Sequence, residues 1–463
     1  MRLQRKSAPL RVLCYAVNGL GLGHITRLVS IAREMRRLAW LLDLPVEIAF
    51  LTTSEGDSIA SLHDFPAFKI PSRAVATRAG FEAGRYRKLA KQWVWNAVGL
   101  FAPDLFLVDT FPGGVFDELV DVLDFGQKNV FVYRAVRPSQ AKNAMFQSAL
   151  RAYDLILKPG ESGETGNDSP VPGDIEHRVV PIGTILIRSR GEMLSRSAAR
   201  ETLGLPQIGD CVYVSVGGGG DRDAESQYGM LTGLAERFPL ARFVFGAGAL
   251  YLGREWQAPN VTWTRRPLMA TCFRAFDVAV TAGGYNTVAE LLHAGVPCVF
   301  LPQPRSHDDQ GARVSLCVEH GAGMSPDTDS VDAIAAALTT MLEPEKRETA
   351  SERAGALVPI NDAQLAAQES LAVLVDRDLL ELASDLRDAF LSEGARLPDG
   401  WSEGEFLRAL GIRAAQLAGN DADSDDSAAD ALNATRAICE TSNECGKTPR
   451  ETLATLRQRD SGF

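Results

Sequence analysis

Val12-Leu13-Cys14-Tyr15-Ala16-Val17-Asn18-Gly19-Leu20-Gly21-Leu22-Gly23-His24 decides the fold. An apolar run ends in a glycine turn. Ile25, Leu28, Ala32, Met35, Ala39 and Leu42 then recur at three- and four-residue steps, the spacing of one apolar helix face. A strand, a tight turn and a helix in succession form the first unit of a parallel, helix-covered sheet. The second half of the chain repeats the device. There an apolar run leads into Thr281-Ala282-Gly283-Gly284-Tyr285-Asn286-Thr287, with Glu290 one helical turn on. Such turns aim unpaired backbone N–H groups and a partial positive charge at whatever sits above them, which suits a phosphate or another anion. Two of them, one per half-chain, imply two α/β lobes closing on a shared, phosphate-bearing ligand.

The rest of the sequence fits that outline. Further strands are expected at 46–51, 105–108, 130–132, 155–157 and 179–182 in the first half. In the second half they are expected at 211–216, 243–245, 261–263, 278–280 and 298–301, with helical patterns after most of them. The fold class is therefore α/β, with two Rossmann-like doubly wound parallel sheets. Ligands in such sheets bind beyond the carboxyl ends of the strands, where the glycine turns lie. Residues 160–174 read as a surface loop, and the lobe boundary falls near 183–200. A helix is expected at 363–375, and 376–417 adds two more. Residues 420–430, with Asp421, Asp423, Asp425, Asp426 and Asp430 among small residues, read as a solvated, disordered tail. Gly446-Lys447-Thr448 lacks the upstream glycine and the preceding strand of a P-loop.

Composition narrows the function classes. The 463 residues are 45% hydrophobic and 23% charged, which suits a soluble globular chain of two domains and an extension. A net charge of −11 argues against nucleic acid as the main partner. The seven cysteines are odd in number and contain no C-x-x-C, so neither a disulfide framework nor a zinc knuckle is expected, and a reducing cytoplasm fits best. Cys14, Cys211 and Cys298 sit in strand-like runs as small core residues. Arg2, Arg5 and Lys6 precede a short apolar stretch that carries Arg11, which reads as a core strand rather than a signal peptide. No segment approaches the roughly 18 apolar residues of a membrane span.

The candidate chemistry lies at the turns. The first turn is not a dinucleotide fingerprint, because His24 stands where the third glycine belongs and the second strand ends without an acid for a ribose. A neutral imidazole at a cleft mouth can take a proton from a hydroxyl nucleophile, and a helix N-terminus favours the neutral form. A purely structural His24 is the plainer alternative. Arg27, one turn on, would meet a phosphate or sit on the surface. Asp109, at a strand end, is a second base candidate or an acid capping the next turn. Gly217-Gly218-Gly219-Gly220 either lets the backbone approach a ligand or is a flexible loop. Glu290 would accept from a ribose 2′,3′-diol or stand as a surface acid. Arg305 and Arg313, in the polar loop from Leu301, would meet a diphosphate or solvent. Arg73, Arg78, Arg85, Arg87, Lys88 and Lys91, interleaved with Phe81, Tyr86, Trp93 and Trp95, would meet lipid headgroups or form an ordinary charged helix face.

Gly-x-Gly-His near the start, the glycine loop opening the second lobe, A-G-G-Y-N-T-x-x-E and x-P-x-P-x-x-x-x-D-Q together resemble the MurG-like glycosyltransferases of family 28. The similarity is to their bacterial "predicted glycosyltransferase" branch and covers about residues 10–376. It implies the GT-B fold, two Rossmann-like domains facing across a cleft. Residues 1–186 would be the acceptor-binding domain and 187–376 the nucleotide-sugar-binding domain, whose last helix returns to lobe one. Residues 377–463 would be an extension without a counterpart. By the resemblance, Glu290 holds the ribose of a nucleotide sugar, commonly a UDP-sugar. Gly217, Gly218 and Gly219 hold the diphosphate with Gly283, Gly284, Asn286 and Thr287. Gln310 and Asp309 meet the transferred sugar. His24 lies beside the reaction centre, and Gly21, Gly23 and Arg27 line the acceptor-side loop. Such enzymes transfer a hexose or N-acetylhexosamine with inversion and need no metal or cofactor beyond the nucleotide sugar. The acceptor, whether glycan, lipid or small molecule, and the oligomeric state stay open, as does contact with the cytoplasmic face of a membrane. A nucleotide-sugar hydrolase of the same fold and a non-catalytic sugar-nucleotide-binding protein are the alternatives.

Overall fold

The computed structural model describes residues 8–17, 22–136, 138–161, 164–219, 223–248, 251–304, 309–418 and 427–460. Gly21, Gly220, Arg305 and most of the acidic stretch 420–430 lie outside them.

Two parallel sheets form the two lobes. The first contains β1 (Leu10–Ala16), β2 (Val46–Thr52), β3 (Ala67–Lys69), β4 (Leu105–Asp109), β5 (Lys128–Val132), β6 (Leu155–Pro159) and β7 (Val179–Ile182). Its order is β3-β2-β1-β4-β5-β6-β7. The second contains β8 (Cys211–Ser215), β9 (Arg242–Gly246), β10 (Val261–Thr264), β11 (Val278–Thr281), β12 (Cys298–Phe300) and β13 (Gly323–Met324). Its order is β10-β9-β8-β11-β12-β13. Both are doubly wound, so the strand order reverses between β1 and β4 and between β8 and β11. The central strands β1, β4, β8 and β11 are buried almost throughout, as their unbroken apolar runs require. All eleven expected strands are present. The two unexpected ones, β3 and β13, are edge strands of three and two residues.

The lobes are joined by two crossings that hydrogen-bond to each other. Leu186 N donates to Asn361 Oδ1 at 2.9 Å, Asn361 Nδ2 donates to Leu186 O at 3.0 Å, and Asp362 N donates to Thr184 O at 2.9 Å. The helix Ala363–Ala372 then packs on the first helix, Gly23–Leu41, so the chain does return to lobe one.

The extension is helical well beyond the expected two helices. Helices Arg377–Ser392 and Glu403–Ala418 are followed by Ser427–Glu444 and Pro449–Asp460. Asp430, expected in a solvated segment, lies in the first turn of Ser427–Glu444. The reason is a buried face at helical spacing, with Ala431, Leu432, Thr435 and Cys439 covered. Thr448 caps the last helix: Thr448 N and Oγ1 both donate to Glu451 Oε2, and Glu451 N donates back to Thr448 Oγ1. The P-loop-like triplet is thus a helix start.

Candidate active site

His24 sits in the first turn of helix Gly23–Leu41, whose N-terminus carries no side-chain cap and no acid. The imidazole is 9% exposed, and its Nδ1 lies 2.8 Å from Asp109 Oδ2, at the end of the neighbouring strand β4. The carboxylate of Asp109 is fully covered. It also accepts from Arg27 Nη1 at 2.9 and 2.8 Å and from Thr110 Oγ1 at 3.1 Å. Burial alone would raise the pKa of Asp109, but the Arg27 guanidinium and His24 outweigh it and hold the carboxyl below its usual range. An anionic Asp109 fixes the proton on Nδ1 of His24 and leaves the Nε2 lone pair for chemistry. Arg27 is neither a surface residue nor free for a phosphate, because its guanidinium is committed to Asp109.

The turn after β4 is strained. Thr110 has φ +67°, and Phe111 N donates to Asp109 O at 2.9 Å, closing a γ-turn about a β-branched residue. That turn brings the Phe111 ring to 5.9 Å from the His24 ring. Nothing in the local sequence announces it, since no glycine or proline marks position 110.

The second lobe presents its own turns at the carboxyl ends of β8 and β11. Gly217 and Gly219 have φ of +96° and +80°. A side chain at Gly219 would begin 2.5 Å from Tyr251 Cβ, so this loop is pressed against the segment after β9. Gly284 caps helix Tyr285–His293 with no side chain on the first-turn amides, and Asn286 and Thr287 are half-buried in that turn. Gly283 lies so close to Gln310 that a Cβ there would stand 2.9 Å from Gln310 Cβ.

Gln310 is buried and acts as a clip. Its Oε1 accepts from Gly283 N at 3.1 Å and from Gln303 N at 2.9 Å, and its Nε2 has no partner among the described residues. Asp309 is exposed and caps helix Gln310–Glu319 through Ala312 N at 3.0 Å. Glu290 is half-buried and accepts no hydrogen bond from the described residues. Burial pushes its carboxyl up to about 8, with Arg188 alone opposing. Arg313, expected on a diphosphate or in solvent, is buried instead. It donates to Gly283 O at 2.6 Å and pairs with Glu161 of lobe one at 2.8 Å.

Sequence reasoning missed Tyr285. Its hydroxyl donates to Gly160 O of lobe one at 3.2 Å. Its ring lies under two guanidinium groups, with Arg27 Cζ 5.2 Å and Arg313 Cζ 5.6 Å from the centroid. Among the described residues, no cluster of three or more His, Cys, Asp or Glu side chains could hold a metal ion.

Two doubly wound lobes, with their glycine turns and a His–Asp pair at the strand ends, define a GT-B architecture. Solved structures of that class superpose on most of the chain. The glycotransferase of kitacinnamycin covers 81% of this chain and 99% of its own, with a TM-score of 0.54 at 18% identity. The spinosyn forosaminyltransferase SpnP covers 81% and 100%, with a TM-score of 0.55 at 13% identity. Within that class, residues 258–369 match the glycosyltransferase family 28 C-terminal domain. An uncharacterized glycosyltransferase of Methanopyrus kandleri is 24% identical over 207 residues, 43% of this chain. The UDP-N-acetylglucosamine--N-acetylmuramyl-(pentapeptide) pyrophosphoryl-undecaprenol N-acetylglucosamine transferase of Corynebacterium glutamicum is 26% identical over 199 residues, 41% of this chain. The chain spans 57% and 52% of the length of these two relatives.

Proposed function

We propose that the protein transfers a hexose or N-acetylhexosamine from a nucleotide sugar to an acceptor hydroxyl, with inversion at the anomeric carbon. The observation that carries this reading is the His24–Asp109 pair at the carboxyl end of β4, linked through Arg27 to Tyr285 in the uncapped turn of lobe two. UDP is the first nucleotide to test, because the curated C. glutamicum relative is a UDP-N-acetylglucosamine transferase.

In this reading residues 1–186 receive the acceptor and 187–376 hold the donor. The first-turn amides of helix Tyr285–His293 and the loop Gly217, Gly218 and Gly219 meet the diphosphate, by oriented dipoles rather than by a metal. Asn286 and Thr287 add side-chain hydrogen bonds there. Glu290 takes the ribose hydroxyls, Gln310 offers Nε2 to the sugar, and Asp309 offers its free carboxylate oxygen. His24 Nε2 removes the acceptor proton as the acceptor oxygen bonds to the anomeric carbon. The bond from that carbon to the diphosphate oxygen breaks, and its electron pair leaves with the diphosphate. Asp109 is a positioning residue here, holding the His24 tautomer. No resident cofactor enters the scheme.

The acceptor is a glycan, a lipid or a small molecule. A lipid acceptor at the cytoplasmic membrane face suits the outer surface of helix Ala83–Phe101. There Arg85, Lys88, Leu89 and Trp95 are exposed, with Phe81 just before the helix. Among the described residues no helix is long and apolar enough to cross a membrane.

The deciding experiment is release of nucleoside diphosphate from a panel of nucleotide sugars, with and without a lipid and sugar extract of the host. Extract-dependent release supports transfer, and release without extract turns the reading to hydrolysis. Binding without release leaves a sugar-nucleotide-binding protein.

Glu290 supplies a separate test. Ribose hydroxyls donate to its ionised form, yet in the free protein that form is held back by burial. UDP affinity is therefore expected to rise by up to about tenfold per pH unit from pH 6 towards 8 and to level off above it. Glu290→Gln should bind UDP about 10-fold more weakly at pH 8 and flatten the pH dependence. Titration calorimetry from pH 6 to 9 reads both. The folded-state value lies above the unfolded one, so Glu290 costs stability progressively between about pH 4.5 and 8. Glu290→Gln should accordingly melt higher than wild type at pH 8.

A further inference from the structure

The Tyr285 side chain belongs to the donor turn by sequence and to lobe one by contact. Its backbone amide is one of the uncapped first-turn amides of helix Tyr285–His293, while its hydroxyl bonds to Gly160 O and also meets the Ile185 backbone at the lobe crossing. One ring face meets Arg27, whose guanidinium is spent on Asp109, and Asp109 in turn holds His24. An unbroken series of contacts therefore runs from the diphosphate turn to the imidazole: Tyr285, Arg27, Asp109, His24.

Arg27 is the weak link in that series. Its Nε is buried with no hydrogen-bond partner among the described residues, and the guanidinium as a whole is sealed from solvent. A guanidinium held by one carboxylate through a single Nη is free to pivot about that contact, and a planar cation is steered by an aromatic face beneath it. Beside Asp109, the ring of Tyr285 is that second constraint. The charged groups around the ring are Arg27 and Arg134 from lobe one, Arg313 from lobe two, and Glu161, which pairs with Arg313 and lies 3.7 Å from Arg134. Arg313 ties Gly283 O of the same turn to Glu161 of lobe one.

We infer that Tyr285 is a positioning residue that couples the diphosphate-binding turn of lobe two to the orientation of His24 in lobe one, acting through Arg27 and Asp109. The catalytic part of this inference rests on the proposed base role of His24; the coupling itself does not. A donor diphosphate seated on the turn fixes the Tyr285 backbone, hence the ring, hence the Arg27 plane and the Asp109 carboxylate. The imidazole is then held most firmly with donor in place. This favours transfer only in the loaded enzyme.

Two measurements on the full chain test it. In protein labelled with 15N-histidine, the His24 Nδ1–H proton, held by Asp109, should give a downfield signal, assigned by its loss in His24→Gln. In Tyr285→Leu that signal should broaden through solvent exchange or move upfield, while Tyr285→Phe, which keeps the ring, retains it. UDP added to wild type should sharpen the signal, and UDP added to Tyr285→Leu should not. In the release assay Tyr285→Leu should lower kcat by about 10-fold, with donor KM changed less than about threefold, and Tyr285→Phe should stay near wild type. A His24 signal identical in wild type and in a folded Tyr285→Leu overturns the coupling, with or without catalytic activity. A rise in donor KM at constant kcat also overturns it, since Tyr285 would then serve the donor alone. A wild type that releases no diphosphate from any nucleotide sugar removes the proposed function, and the histidine signal still decides the coupling. Should Tyr285→Leu fail to fold, Arg27→Lys takes its place. A lysine keeps the charge on Asp109 but offers no plane to the ring, so an unaltered His24 signal there rejects the inference.

Discussion

Truncation after Asp376 is expected to leave lobe one unable to fold. The extension looks like an appendage in sequence, but it covers the first helix of the chain. Helix Gly23–Leu41 packs against the sheet on one side and against helices Ala363–Ala372, Arg377–Ser392 and Glu403–Ala418 on the other. Arg33, Glu34 and Arg37 of that helix are all buried. Glu34 accepts from Arg37 at 2.8 Å and from Arg387 of the extension at 3.0 Å. Arg37 also pairs with Glu192 at 2.7 Å and with Glu403 of the extension at 2.5 Å. Removing one partner of a buried ion pair costs about 3–5 kcal/mol, because the other charge stays behind unpaired. The cut also removes Leu380, Leu386, Phe390, Phe406 and Leu410, all buried in the same core cluster as the first helix. Burial of each such side chain contributes about 1.5–3 kcal/mol. Against a typical stability of about 5–15 kcal/mol, the loss leaves no margin.

The expected result is insoluble protein, or soluble protein without a cooperative melt in near-UV circular dichroism. A subtler variant isolates the docking itself. Gly411 lies so close to the end of the first helix that a Cβ would come within 1.7 Å of Leu41 O. Gly411→Val should lower the melting temperature sharply, although valine is not a severe helix breaker on the helix propensity scale. A truncated protein with a wild-type melt would mean that the extension is a separable module.

Legibility in the sequence followed the length and regularity of each signal. Most strands lie in apolar runs and were readable, even the three-residue β12, whereas β3 ends in a lysine and β13 has only two residues. The first helix was recognised by Ile25, Leu28, Ala32, Met35, Ala39 and Leu42. Its second buried face was not, because that face is built of the charged residues Arg33, Glu34 and Arg37, whose partners Arg387 and Glu403 come from the distant extension. The same limit applies at the site. His24 and Asp109 could be named singly as candidates, but their pairing joins residues 85 positions apart, and only the β1–β4 register brings them together. Arg27, after a glycine turn, and Arg313, in a polar loop, were open to a phosphate contact or to solvent. Both instead meet the ring of Tyr285: the Arg27 contact depends on how the two lobes face each other, the Arg313 contact on the packing of two helices within lobe two, and neither leaves a trace in local spacing.

His24→Ala should lower kcat by about 10²–10⁴-fold while leaving UDP affinity within about twofold of wild type. The two expectations separate because His24 belongs to lobe one, whereas the uncapped turn and Glu290 belong to lobe two. The imidazole is positioned from behind by Asp109, and the carboxylate is in turn held by Arg27 and Thr110, so the ring cannot swing to adopt another tautomer without breaking a 2.8 Å hydrogen bond in a buried site. Loss of the ring therefore removes the proton acceptor and little else. Asp109→Asn is a poorer probe of chemistry: it strips the partner from a fully buried Arg27, so a fall in melting temperature should accompany its fall in rate. If His24→Ala retains wild-type turnover, His24 leaves the mechanism. Phe111 would then be the side chain to examine next, because it flanks the same mouth of the cleft and the strained turn at Thr110 still lacks a function.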